Sequence, residues 1–299
     1  MPRSREHLLA VALIAPSVLA VAVFVYGFIG WTGRAALSSW QGLIPDYTFV
    51  GLDNFAFLFR NARFQIEIRN TAIFTVLFLG ACLALGLLLA VLLDQRPRGE
   101  GLFRTLYLFP MAISFIVTGV VWRWLLNPAT SPGRLSGLNL LFDSVGLSAL
   151  VSRWYTHPGL GIAAIVLPAV WQMSGFTMAL YLAGLRAIPE ELREAARVDG
   201  ASELQIYRRI VLPMLKSVTL SAVIMLGHVS LKIFDLVMAI TQEGGEGFSA
   251  SVPALNMWYT AFRGLRFARG AAIAIIILVT VAVLVVPYLV YSTRSEVEQ

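Results

Sequence analysis

The sequence predicts an all-α membrane protein with six transmembrane helices, and three observations predict it. Of its 299 residues, 58% are hydrophobic and 13% charged, where a soluble domain carries about 25% charge. The apolar residues gather in six runs, each near the roughly 20 residues that a helix needs to cross a bilayer. One polar, charge-dense stretch, Pro189 to Pro213, sits between the fourth and fifth runs. A chain this apolar keeps such a piece in water only if the piece has work to do there.

The runs justify themselves in order. Arg3 and Arg5 precede an apolar run over residues 8–31. A signal peptide shares the positive start, but its apolar core is only about 7–15 residues long. A retained first helix is expected, with cleavage as the alternative. Residues 32–69 are mixed and aromatic, including Phe49–Phe59. They are too polar to span and too apolar for a free linker, so short packed helices at the outer face are expected. Further spans are expected over residues 71–93, 102–126, 160–185, 212–241 and 270–291. The short basic loop Asp94–Gly101, two outer loops (127–159 and 242–269) and the charged loop (188–211) join them. The tail STRSEVEQ closes the chain, and residues 1–299 are read as one transmembrane domain.

Charge sets the topology. The net charge of +6 is almost all arginine, with Lys216 and Lys232 the two lysines. The termini, the 94–101 loop and the charged stretch hold twelve Arg and Lys in about 55 residues, against ten in about 100 for the opposite loops. The positive-inside rule then makes both termini and the charged stretch cytoplasmic. An excess spent on topology and lipid contact implies no nucleic-acid partner. Cys82 is the only cysteine and lies in an apolar run, so it reads as a small buried hydrophobe. No G-x-x-x-x-G-K-[ST] loop, HExxH or Cys-rich pattern occurs, and His7, His157 and His228 are scattered. The chain is therefore expected to be no enzyme and to bind no ATP, metal or cofactor itself.

The charged stretch reads as two short helices and a turn. Pro189 fits the first helical position, and Glu190 and Glu191 suit the positive end of the helix dipole. Arg193 and Arg197 lie nearer the negative end. Asp199-Gly200 breaks the run, since Gly accepts the left-handed conformation that ends a helix. Ser202 with Gln205 forms a capping-box pattern that starts a second helix, and Arg208 and Arg209 close it. The result is a helical hook with an apolar face of Leu192, Ala195, Ala196, Leu204 and Tyr207. It is either a helix lying on the membrane surface or a docking element. The small Ala195 and Ala196 favour docking, because they let a partner approach closely.

The spacing Glu194-Ala195-Ala196, three residues, Gly200, nine residues, Ile210, one residue, Leu212-Pro213 resembles the EAA loop of ATP-binding-cassette (ABC) importer permeases at every defined position. The segment Ser230–Phe262, with Phe234-Asp235, Thr241 and Gly244-Gly245, looks like the maltose- and glycerol-3-phosphate-type carbohydrate branch, as does the GLDNF stretch Gly51–Phe55. Glu246 stands where a proline often follows the glycines. The resemblance implies a type I ABC importer permease fold with a cytoplasmic coupling helix, in a bacterial inner membrane. It implies a second homologous permease, two ATPase subunits that bind ATP and Mg, and an extracytoplasmic sugar-binding protein as partners, besides membrane lipid. It assigns Glu194, Ala195, Ala196 and Gly200, with Arg193, Arg197 and Asp199, to coupling with the ATPase.

Polar groups at membrane depth are expensive and usually face a cavity or a partner. Trp171, Gln172, Thr177 and Tyr181 in the fourth span, and His228, Lys232 and Asp235 in the fifth, are the candidate pathway residues. Aromatic rings stack on sugar C–H faces and amides bond hydroxyls, which points to Trp171 and Gln172; both residue types also serve as packing anchors. Lys232 and Asp235, three apart on one helix, can pair, as a gate or as a neutralised structural pair. Such a pairing would favour a neutral sugar over glycerol-3-phosphate or another charged ligand, with a polyol also in range. An ion-driven secondary transporter is the rival; it predicts internal symmetry and unpaired acidic residues at midplane, and neither is visible.

Overall fold

The computed structural model describes residues 3–131 and 133–297, with side chains over 11–131 and 133–287. Arg3, Arg5 and Arg294 of the charge bias therefore lie outside the described side chains. Among the described residues, four helices are long and apolar enough to cross a membrane, and two bent helix pairs bring the number to six when each pair is one span. The residues group into two compact units.

The first unit is Met1–Phe64 with Asn256–Val279. Helix α1 carries the apolar stretch Val11–Ala36, widens to π geometry over Ala22–Gly27 and ends past the expected residue 31. Helix α2, Asp53–Arg60, follows. Asn54, within Gly51–Phe55, is buried, and its amide donates to the carbonyls of Ala36 and Ser38 at 2.9 and 2.8 Å. It thereby satisfies backbone oxygens that the end of α1 leaves open. Trp40 packs against Tyr47 and Phe267, beside a small core of Ala36, Leu58, Phe64, Ala272 and Ile273.

The second unit is Gln65–Leu255 with Thr280–Gln299. Helix α3, Ala62–Asp94, starts well before the expected residue 71. Two of the polar residues that hid its first turns from a hydropathy reading, Glu67 and Asn70, are buried and bonded. The Asn70 amide donates to the carbonyls of Phe248, Ser249 and Ser251 at 2.9, 3.3 and 3.0 Å. The Ser251 hydroxyl donates to Glu67 Oε1 at 2.8 Å.

The third span is not straight. Helix α4, Glu100–Ala112, and helix α5, Phe115–Leu125, meet at 97°. Ile113 and Ser114 are extended, and the Ser114 hydroxyl accepts from the Val117 N–H as the N-cap of α5. Pro110 tightens the preceding turn to 3₁₀ geometry. The loop that follows contains α6, Gly137–Ser144, arranged around the buried Asn139. Its amide donates to the carbonyls of Asn127, Ala129 and Ser152, and its Oδ1 accepts from Ser152 N–H and Trp154 Nε1.

Helix α7, Gly161–Arg186, matches the expected fourth span. It crosses α4 at Gly175, where a Cβ would lie on the Tyr107 carbonyl, and α3 at Gly86, where a Cβ would come 2.7 Å from Thr177. The hook then contains α8, Glu190–Val198. Helix α9, Glu203–Met214, continues it and bends by 61° into α10, Lys216–Leu231. A non-helical break at 232–234 precedes α11, Asp235–Thr241. The fifth span is thus three pieces, where hydropathy shows one run over 212–241. Helix α12, Pro253–Trp258, and the long helix α13, Phe267–Val297, complete the order. Helix α13 starts before the expected residue 270 and runs into the expected tail, whose last residues, Glu298 and Gln299, lie outside the described residues.

Candidate coupling site and translocation pathway

The hook is closed by local chemistry at both ends of its turn. Gly200 takes φ +79°, a conformation that costs a residue with a Cβ about 1–2 kcal/mol. The Ala201 N–H bonds the Ala196 carbonyl at 2.9 Å and the Gly200 N–H bonds the Arg197 carbonyl at 3.0 Å. These two bonds are the Schellman pattern that ends a helix. Ser202 and Gln205 form the expected capping box, with Ser202 N–H 2.8 Å from Gln205 Oε1. Pro189 is the N-cap of α8, in extended backbone, rather than its first helical residue. Its carbonyl accepts from the Leu192 N–H, so the helix begins one position later than the proline pattern suggests.

Charge pairs then fasten the two short helices together. Arg197 Nε donates to Glu203 at 2.8 Å and its Nη1 to Glu190 at 3.2 Å. The hydrogen bond to Glu203, then that to Glu190, raises its pKa above the ordinary arginine value. Arg197 is exposed but already engaged within the hook. Underneath, Ile188, Ile206 and Val211 join Leu89, Leu93, Tyr181 and Leu185 in a buried apolar cluster, with Ala196 and Tyr207 packed against it.

Arg193 corrects the expectation that it faces the ATPase. It is buried, with Nη1 2.9 Å from Asp94 Oδ2 and Nη2 3.2 Å from the Leu185 carbonyl. The guanidinium is used inward because α8 turns that side onto the ends of α3 and α7. Glu194, Ala195, Asp199 and Gly200 are exposed, while Ala196 is half-buried. Val198, 88% exposed, and Leu204, 78% exposed, stand beside them. Val198 was missing from the apolar face read off the sequence. Its place in the last turn of α8, next to the Gly200 break, was the available signal.

The pathway candidates do not converge on one face. Trp171 is 41% exposed and stands near Trp122. With Leu85, Leu89, Tyr107, Pro110 and Ser174 it lines an apolar cleft of 610 Å³. Gln172 lies on another side of α7 and is buried; its Nε2 donates to the Ile113 carbonyl at 2.6 Å. Gln172 Oε1 and Thr118 Oγ1 are buried without a partner among the described residues. Thr177 bonds the Met173 carbonyl of its own helix at 3.2 Å, and Tyr181 donates to Thr219 Oγ1 at 3.1 Å. His228 is half-buried on α10.

Lys232 and Asp235 are not a pair. Lys232 opens the 232–234 break and Asp235 follows it; both are exposed, and no ion pair joins them among the described residues. The three-residue spacing brings side chains together only on a continuous helix, and the helix stops between them.

Helices of membrane length that carry a polar hook packed on their ends suit a transport permease. The chain belongs to the binding-protein-dependent transport system inner membrane component family, whose model matches residues 82–294. It is 41% identical to a probable ABC transporter permease protein of Pyrococcus horikoshii over 99% of both chains. It is 36% identical to the xylose/arabinose import permease protein XacH of Haloferax volcanii, over 94% of this chain and 86% of that protein. The trehalose/maltose transport system permease protein MalF of Thermococcus litoralis is 31% identical, over 95% and 94%. Among solved structures, a bacterial ABC transporter involved in the import of the acidic polysaccharide alginate shares the fold, with a TM-score of 0.80. That match has 23% identity and covers 97% of this chain and 96% of the other.

Proposed function

We propose that this chain is the permease subunit of an ATP-driven sugar importer and forms half of its translocation pathway. In this reading it pairs with a second, homologous permease. Two ATPase subunits hold the hooks, and an external sugar-binding protein delivers the substrate. ATP binding draws the hooks together and turns the helices outward; hydrolysis, carried out on the partner subunits, resets them. Both termini and the hook face the cytoplasm, as the arginine bias indicates. The observation that carries the reading is the exposed edge of the hook: Glu194, Ala195, Val198 and Asp199 point away from the chain on a scaffold fixed by Arg197.

The sugar reading rests on the named substrates of the relatives. A second reading, an anionic substrate such as glycerol-3-phosphate, is favoured by one observation: Lys232 is exposed and unpaired with Asp235. The complex, reconstituted with its binding protein, tests both. ATPase stimulation by xylose, arabinose, trehalose or maltose supports the sugar reading. Stimulation by glycerol-3-phosphate alone, lost in Lys232→Gln, supports the second. No ATPase co-purifying with the chain overturns the coupling reading itself.

A further inference from the structure

We infer that Arg193 is the positioning residue that ties the hook to the membrane helices, so that displacement of the hook reaches α3 and α7 together. The inference rests on the coupling reading above and adds to it the path that the movement takes. One guanidinium joins three helices. It projects from the hook helix α8, bonds the Asp94 carboxylate at the last residue of α3, and bonds the Leu185 carbonyl in the last turn of α7. The Arg193 and Asp94 side chains are only 11% and 10% exposed, so little solvent screens them. The last-turn carbonyl is a natural partner for a cation, because helix C-termini carry partial negative charge. A planar fork with fixed donors holds both acceptors in one geometry, which a lysine ammonium cannot do.

A second arginine works beside it. Arg186, at the end of α7, donates to Glu100 in the first turn of α4 at 2.7 Å and to the Leu93 carbonyl at 3.4 Å. Together the two arginines fasten the 94–101 loop, and so the ends of α3 and α4, to the base of the hook. The apolar cluster beneath is held by a force with no preferred direction. Directional bonds at a buried pair fix the orientation as well. Arg193 is therefore spent on the inside of the chain, while Glu194, one residue on, is left for the partner.

The test uses the whole complex in liposomes, with ATP hydrolysis and substrate uptake measured on the same sample. Arg193→Gln and Asp94→Asn are expected to retain the ATPase subunits and basal hydrolysis. Substrate moved per ATP should fall roughly tenfold, within the usual range of coupling between two sites. A rescue separates linkage from folding. In a Cys82→Ala background, Arg193→Cys with Asp94→Cys is expected to be uncoupled when reduced. It should regain coupling when a short bis-thiol-reactive linker joins the two cysteines. Unchanged transport per ATP in both single variants overturns the inference, as does a linked double variant that stays uncoupled. Loss of the ATPase from the singles, with no rescue by the linker, overturns it too, because Arg193 then serves assembly alone. Failure of the wild-type complex to hydrolyse ATP would strike the coupling reading and is visible before any variant is made.

Discussion

The Gln172 side-chain amide donates to the Ile113 carbonyl at 2.6 Å, at the point where α4 gives way to α5. A helix broken inside a membrane leaves backbone groups that no water reaches, and each must find a partner in the protein. Gln172 supplies one from the neighbouring helix. Residue 172 thus braces the 97° bend, and its buried Oε1 is without a partner among the described residues.

That arrangement separates Gln172 from Trp171. Gln172→Leu leaves the carbonyl of the half-buried Ile113 without its side-chain donor, which costs at most about 1–3 kcal/mol. The variant complex should unfold at lower temperature in detergent, and uptake should fall with it. Trp171→Ala only widens the 610 Å³ cleft on the exposed side of α7. It should lower uptake while leaving thermal stability and assembly close to wild type. Thermal melts and uptake on matched samples check the contrast; equal loss of both in Trp171→Ala would mean that the ring only packs.

Glu194 offers a sharper prediction at the hook. It is exposed and makes no ion pair within the chain among the described residues, unlike Glu190 and Glu203, which bind Arg197. A carboxylate held on a rigid helix can accept a charge-assisted hydrogen bond from a docked partner, worth about 1.5–3 kcal/mol. Glu194→Ala should therefore weaken retention of the ATPase subunits by roughly 10- to 100-fold, with membrane insertion unchanged. Pull-down of the ATPase across a salt and concentration series measures this directly.

The contrast between Glu194 and Arg193 shows what was legible in the sequence. Gly200, Ser202 and Gln205 act on backbone within a few residues, so the turn and second cap of the hook could be read locally. Arg193 acts on Asp94, 99 residues away, and no local pattern reveals such a partner. Its burial made it a strut where spacing placed it at an interface. The helix breaks were hidden for another reason. Residues 113–114 and 232–234 lie within or beside apolar runs, and a hydropathy reading sums composition while ignoring backbone direction. Pro110 and the Ser114 cap were the available signals at the first break. The error at Lys232 and Asp235 followed from assuming a continuous helix across the second. The early start of α3 was hidden by Glu67 and Asn70: Asn70 donates to the carbonyls of Phe248, Ser249 and Ser251, and Glu67 accepts from the Ser251 hydroxyl.

Asp46 supplies a prediction in pH, away from the membrane-spanning helices. Its carboxylate accepts from the Ser39 hydroxyl at 2.6 Å, the Thr48 hydroxyl at 2.7 Å and the Thr48 N–H at 3.0 Å. The hydroxyl of Ser39 contributes most, then the two Thr48 donors, and together they lower its pKa from 3.8 to about 2. These bonds favour the ionised form, so the stability they add is complete above the unfolded value. It declines as pH falls from about 4 and is gone below about 2. Tyr47, next in sequence, lies against Trp40 at 5.6 Å and accepts a bond from Trp31 Nε1 at 3.2 Å. Release of the loop should therefore change tryptophan emission. Wild type is expected to show an acid transition in that window, and Asp46→Asn should lack it while emitting at neutral pH as the released loop does. An Asp46→Asn protein that titrates like wild type would place the transition on another group.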